Sequence, residues 1–205
     1  MRYFTYVPKL IYRRGEVLIS HHTHSAFGVL FAVITIKAIT FFGLYNNFQT
    51  EFLLVIYQTN RIILYAGAIL GALIPDIDHV NSRIGNKLKP ISKLIKLLGV
   101  KHRGITHSLL GIIIFSFLIK KLFYLNWISQ GWYYSLLLGY ISHIIADMFN
   151  SIGLPILFPL KYRFKFGFNI TTGSWKENLF FSIIITCLLL FFFQKTDISS
   201  LILIN

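Results

Sequence analysis

The sequence predicts an all-α integral membrane protein: a helical bundle of about five transmembrane helices, with one short re-entrant or interfacial segment near residues 153–160. Three observations lead there. Hydrophobic residues make up 55% of the 205 residues and charged residues only 13%, far from the near-half and near-quarter shares of a soluble domain. Five apolar runs approach the roughly 17 to 25 residues a helix needs to cross a bilayer. Lysine and arginine concentrate in alternate segments between those runs, as retention of positive charge on the cytoplasmic side requires.

Met1 to Ser20 contains Arg2, Lys9, Arg13, Arg14 and Glu16 without an uninterrupted apolar core, so no cleavable signal peptide is expected. The first run, Ser25 to Tyr45, then doubles as the membrane-targeting segment. The second, Phe52 to Pro75, is interrupted by Gln58, Asn60 and Arg61 and reaches a proline that stops or kinks a helix. The third, Ile105 to Leu125, carries Lys120 and Lys121 near its end, where long basic side chains can reach the interface. Trp132 to Met148 and Asn178 to Gln194 complete the set. Between these two, Gly153 to Leu160 is too short to span and holds two prolines. The chain reads as one domain over 1–205. Its lone cysteine, Cys187, leaves no disulfide or thiolate metal site within one chain.

Fifteen of the twenty basic residues precede the first run or lie between runs two and three or four and five: Arg2, Lys9, Arg13 and Arg14; Arg83, Lys87, Lys89, Lys93, Lys96, Lys101 and Arg103; Lys161, Arg163, Lys165 and Lys176. With five spans all of these share one side, which places the N-terminus in the cytoplasm. The formal charge of +13 follows from that orientation, and without a Gly-rich phosphate loop or a basic-aromatic pattern it points to no nucleic acid.

On the same map, all seven histidines and four of the seven acidic residues fall at the cytoplasmic ends of the runs. Ionisable groups at membrane depth cost about 2.5 to 3.5 kcal/mol each on insertion scales, so they face a bundle interior and mark function. Each motif also has a plainer reading. In "HHTHSAFG", His21 and His24 stand at i, i+3 and His24 is nearest the run, yet interfacial decoration accounts for them equally. "PDIDH" offers Asp76, Asp78 and His79 within one turn, where a capping turn helped by Asn81 and Ser82 is the alternative. "KHRGITH" sets His102 and His107 around Gly104, which permits a sharp turn; Thr106 can cap the next helix, and Arg103 has a fork suited to phosphate. His143 and Asp147 share a helical face at i, i+4, the spacing of two metal ligands or of an ordinary surface pair. Glu177 completes a Ser-x-x-Glu capping box with Ser174, which explains it without chemistry.

At "LIPDIDHVNSRIG", "HRGITHSLL" and "LGYISHIIADMFNSIGLPILFP" the chain resembles the YdjM-type bacterial inner-membrane proteins, known as LexA-regulated, membrane-bound, metal-dependent hydrolases. The resemblance runs from about His24 to Glu177 and carries over His24, Asp76, Asp78, His79, His102, His107, His143, Asp147 and Glu177 as the family's polar positions. It implies a multi-span protein of the cytoplasmic membrane. The chain departs from the pattern at its start, where His21 and His22 are extra.

The expectation is therefore a divalent metal site, zinc foremost and with one ion or two. His24, Asp76, Asp78, His79, His102, His107, His143 and Asp147 are its candidate ligands, and Arg103 and Glu177 its candidate catalytic groups. Basic loops beside apolar helices suit a phosphoester or anionic lipid as substrate. A metal transporter or sensor, or a structural metal clamp, would use the same ligands. Oligomeric state is left open.

Overall fold

The computed structural model describes residues 20–44, 51–100, 102–171 and 173–193. The basic residues Arg2, Lys9, Arg13, Arg14 and Lys101, and the expected span ends Tyr45 and Gln194, lie outside the described residues. Within them the chain is helical: α1 (His21–Phe41), α2 (Glu51–Gln58), α3 (Arg61–Gly71), α4 (Arg83–Lys87), α5 (Lys89–Leu97), α6 (Leu109–Tyr124), α7 (Gln130–Asp147) and α8 (Trp175–Phe193). Short 3-10 turns at Ile74–Asp78 and Ile105–His107 follow α3 and precede α6. The described residues hold no strand, only the isolated bridges Asn150 to Ile170 and Leu154 to Phe164.

By length and composition α1 and α8 can cross a membrane, and the α2–α3 pair adds a third span if it counts as one broken crossing. The straight helix expected over Phe52 to Pro75 is bent by 117° at Thr59 and Asn60. The cause is local. Asn60 Oδ1 accepts the Ile62 amide at 2.8 Å and so starts a new helix, while Thr59 Oγ1 donates back to the Val55 carbonyl at 2.6 Å. At 16 residues α6 is about 24 Å long, short of the ~30 Å hydrocarbon core. α7 has 18 residues, and Ser135, Ser142, His143 and Asp147 make it too polar to qualify.

α7 is nevertheless the centre, packed most closely against α3 and also against α1, α6 and α2. The α3–α7 seam works because it is built from small residues, which let two backbones approach. A Cβ on Gly71 would stand 2.1 Å from the Leu136 carbonyl oxygen, and one on Gly139 2.2 Å from that of Ala68. Beside the seam, Ala32, Ile39, Ile56, Leu64, Ala68 and Leu138 form a fully packed cluster. α6 and α8 turn large apolar side chains outward, among them Ile113, Phe117, Leu118, Ile183 and Leu190, as a lipid-facing surface demands.

The segment expected to be re-entrant or interfacial is an irregular loop, pinned where Leu154 is buried and exchanges backbone hydrogen bonds with Phe164. The Leu109 amide also donates to Ile156 at 2.9 Å, which ties this loop to the start of α6.

Candidate metal centre

The start of α1, the turns after α3 and before α6, and the end of α7 meet at one end of the bundle. Each carries a polar side chain inward: His24, Asp76 and Asp78, His107, and His143 with Asp147, all of them buried. Arg103 is buried with them, and His102 is nearly so. Three groups of ligand atoms lie close enough to hold a metal: His24, His143 and Asp147; Asp76, His107 and His143; and Asp78, His102 and His107.

The centre is built around two facing imidazoles. His107 Nε2 and His143 Nε2 stand 3.1 Å apart. Asp76 Oδ1 lies 3.5 and 3.7 Å from these nitrogens, and Asp147 Oδ2 lies 3.5 and 3.7 Å from the same pair. Donors around one tetrahedral zinc, each about 2.05 Å from it, stand roughly 3.3 Å apart, so this spacing fits a metal. His143 Nδ1 faces the Ala72 carbonyl at 2.6 Å and must donate to it, which leaves Nε2 as the only lone pair on that ring. His24 stacks on His143 with ring centroids 3.9 Å apart and lies 3.5 Å from Asp147 Oδ1.

Charge gives a second, independent test. Among the described residues, three buried carboxylates, Asp76, Asp78 and Asp147, share this pocket with one permanent cation, Arg103. That leaves two negative charges to offset, the charge of one divalent ion. Without it the carboxylates draw a proton: burial alone would lower the His107 pKa, but Asp76 and Asp78, 3.5 and 3.6 Å from its ring nitrogens, raise it to about 9. Among the described residues, His24 Nδ1 and Asp147 Oδ2 find no hydrogen-bond partner. The nitrogen and oxygen donors thus suit zinc or a similar divalent ion.

Arg103 is held in the left-handed region at φ 55°, a conformation that a non-glycine residue rarely adopts. Gly104, whose freedom the motif suggested for the turn, has φ −99°. The strained position aims the guanidinium inward, where Nη2 donates to Asp147 Oδ1 at 3.1 Å. Its Nε and Nη1 have no hydrogen-bond partner among the described residues.

Other expected residues fall outside the three groups. His79 lies beside His102, with ring centroids 4.8 Å apart. His21, one turn before the site, meets Arg83 Nη1 at 2.8 Å on the exposed side. Glu177 is buried at the junction of α1 and α8 with both oxygens engaged. Oε1 accepts from the Ser20 amide and from Thr23 Oγ1 at 3.2 Å, and Oε2 accepts from the Gly173 amide at 2.7 Å. The capping box expected from Ser174 is present in altered form: Ser174 Oγ accepts the Glu177 amide at 3.3 Å, while the Glu177 carboxylate reaches Gly173.

Two contributors were not legible as such. Thr106, expected as a helix cap, donates its hydroxyl to Asp78 Oδ2 and sits 2.9 Å from His107 Nδ1; Ser108 caps α6 instead, accepting from the Gly111 amide. The Ala72 carbonyl that fixes His143 belongs to the backbone and leaves no mark on the sequence. Thr106 could have been found from its place between His102 and His107.

A family model described as YdjM inner membrane protein matches residues 19–203. The inner membrane protein YdjM of Escherichia coli (strain K12) is 45% identical over 105 residues, 48% of this chain and 50% of its own length. The protein of that name from Shigella flexneri matches to the same extent. The uncharacterized protein YvsG of Bacillus subtilis (strain 168) is 36% identical over 123 residues, 60% of this chain and 74% of its own. The chain spans about half the length of the two YdjM proteins it matches. No solved structure matches.

Proposed function

The chain belongs to the YdjM inner membrane protein family, and from that premise we propose that it is a multi-pass, metal-dependent hydrolase acting on a phosphoester or an anionic lipid head group. The observation that carries this reading is the convergence of His107, His143, Asp76 and Asp147 at ligand-to-ligand spacing in a buried pocket. His24, Asp78 and His102 extend the donor set on either side, enough for a second ion.

A divalent metal bound there, zinc first among candidates, supplies Lewis acidity and brings the pKa of water toward about 7. The protein's own groups do the rest. His143, locked by the Ala72 carbonyl, presents one lone pair in a fixed direction. Thr106 orients Asp78. The Asp76 or Asp147 carboxylate left off the metal takes the proton of the attacking water. Arg103, with one donor spent on Asp147, keeps Nε and Nη1 for an oxyanion, and a phosphoryl group suits that fork better than a neutral peptide. The excess of basic residues between the apolar runs supports a cytoplasmic N-terminus and a site opening on the cytoplasmic leaflet, in a five-crossing arrangement of α1, α2–α3, α6, α7 and α8.

The bent α2–α3 pair does not favour transport. Its break at Thr59 and Asn60 lies at the far end of α3 from Asp76 and Asp78, whereas carriers place broken helices at their ligands. The test is turnover of a generic phosphomonoester, a phosphodiester and phospholipid vesicles by detergent-purified protein, before chelation, after it and after zinc is restored. Activity lost and regained supports the hydrolase. A metal-loaded protein that turns over none of them, while chelation only lowers its Tm, assigns the site to a structural clamp; metal flux in proteoliposomes would make it a carrier.

A further inference from the structure

α5 projects beside the metal centre, packed against the 3-10 turn that carries Asp76 and Asp78 and against α4. At about 100° per residue its side chains sort into sectors. Lys89, Lys93 and Lys96 fall within one arc of about 60°, and Ile91, Leu94 and Leu98, the last at the helix's end, within an opposite arc of similar width. Ser92, fully buried, and Ile95, half-buried, occupy the flank between them and meet the protein. Among the described residues nothing of the kind covers the apolar arc: Ile91 is 48% exposed, Leu94 55% and Leu98 72%, with Leu97 at 84% on the free flank. The three lysines are exposed on the other arc.

A helix held by its flank, with one free apolar side and one free cationic side, has the layout of a helix lying in a membrane interface. We infer that α5 is an interfacial anchor. Ile91, Leu94, Leu97 and Leu98 enter the head-group and acyl boundary, and Lys89, Lys93 and Lys96 pair with anionic phospholipid heads. Charge complementarity selects that occupant. A second protein copy docking on the same leucines would cover the apolar side and leave the lysine side without a counter-charge, whereas an anionic leaflet satisfies both sides at once. Each lysine near an anionic surface adds to the attraction, and the alkyl stems let the ammonium groups rise to the interface. α5 thereby holds the mouth of the Asp76 and Asp78 turn at the lipid surface, whether or not the site turns over substrate.

The test uses the full chain, with Cys187→Ser as background, reconstituted in phosphatidylcholine vesicles with and without phosphatidylglycerol. A nitroxide at Leu94→Cys is expected to be severalfold more accessible to oxygen than to a water-soluble nickel chelate, with the reverse at Lys93→Cys. Combining K89E, K93E and K96E should abolish the difference in the anionic vesicles alone. Equal nickel access at both positions overturns the proposal. So does spin–spin coupling between Leu94 labels, which would identify a second copy as the occupant. Should either cysteine variant misfold, Leu94→Trp quenching by brominated lipid gives the same reading: quenching supports the anchor and its absence overturns it.

Discussion

α7 and α8 are nearly equal in length and play opposite parts. α8 is the more apolar and qualifies on composition to cross a membrane, yet among its described side chains only Glu177 and Ile184 are buried. α7 fails the same criterion and buries nine residues, including Ser135, Ser142, His143 and Asp147. A helix surrounded by lipid must be apolar on every side, whereas one surrounded by protein gains from small residues that admit close neighbours and from polar groups that find partners there. Hydropathy therefore marks the periphery of this bundle, and its interruptions mark the centre.

The largest expected effect sharpens that contrast at the metal. His143→Ala and Asp78→Ala are each expected to abolish metal retention in protein purified from the membrane, with insertion intact. Stoichiometric metal in both variants, by elemental analysis, would remove the centre from α7 and its neighbours. The next effect is on packing. Gly139→Leu drives a side chain into the Ala68 carbonyl across the seam and is expected to cost about 3 kcal/mol of stability in detergent. Leu189→Ala on the outer side of α8 should stay within about 0.5 kcal/mol. Equal losses in a denaturant titration would erase the distinction between the two helices.

The polar residues of the site could be read because ionisable groups stand out against an apolar background, and His143 with Asp147 fixed their own geometry by helical spacing. Other features had no such contrast. The bend at Thr59 and Asn60 shows in sequence as a polar interruption, but its angle depends on which backbone groups the two side chains engage. α5 was invisible to a search for spans because it is short and carries a lysine every three or four residues. Which of His21, His22 and His24 turns inward is decided by where α1 meets α7, a tertiary fact; only His24 reaches Asp147.

A smaller effect is set by the proton on His107, in the turn before α6. With its pKa raised to about 9 by Asp76 and Asp78, the ring is protonated at neutral pH when no metal is bound. It must lose that proton to ligate, so binding releases one proton, and affinity is expected to rise about tenfold per pH unit between roughly pH 6.5 and 8.5. Titration of metal into stripped protein across that range checks the sign. A flat profile would show that His107 does not ligate through a nitrogen that must first be freed.

The smallest expected effect concerns the one acidic residue in the first turn of α8. Glu177 receives the Ser20 amide, the Thr23 hydroxyl and the Gly173 amide, so it ties the first turn of α1, which carries His24, to the start of α8. Glutamine keeps one acceptor oxygen but turns an NH2 group toward a donor at the other. Glu177→Gln is thus expected to lower stability by about 1 kcal/mol, comparable to the loss of a helix cap. Metal content should be unchanged and turnover largely retained. A general base predicts the opposite pair of readings, unchanged stability with turnover abolished, because an amide cannot take a proton from water. Measuring Tm and phosphoesterase rate on the same preparation separates the two roles. Loss of metal from this variant would instead make the clamp part of the centre, since His24 would then depend on α8 for its place.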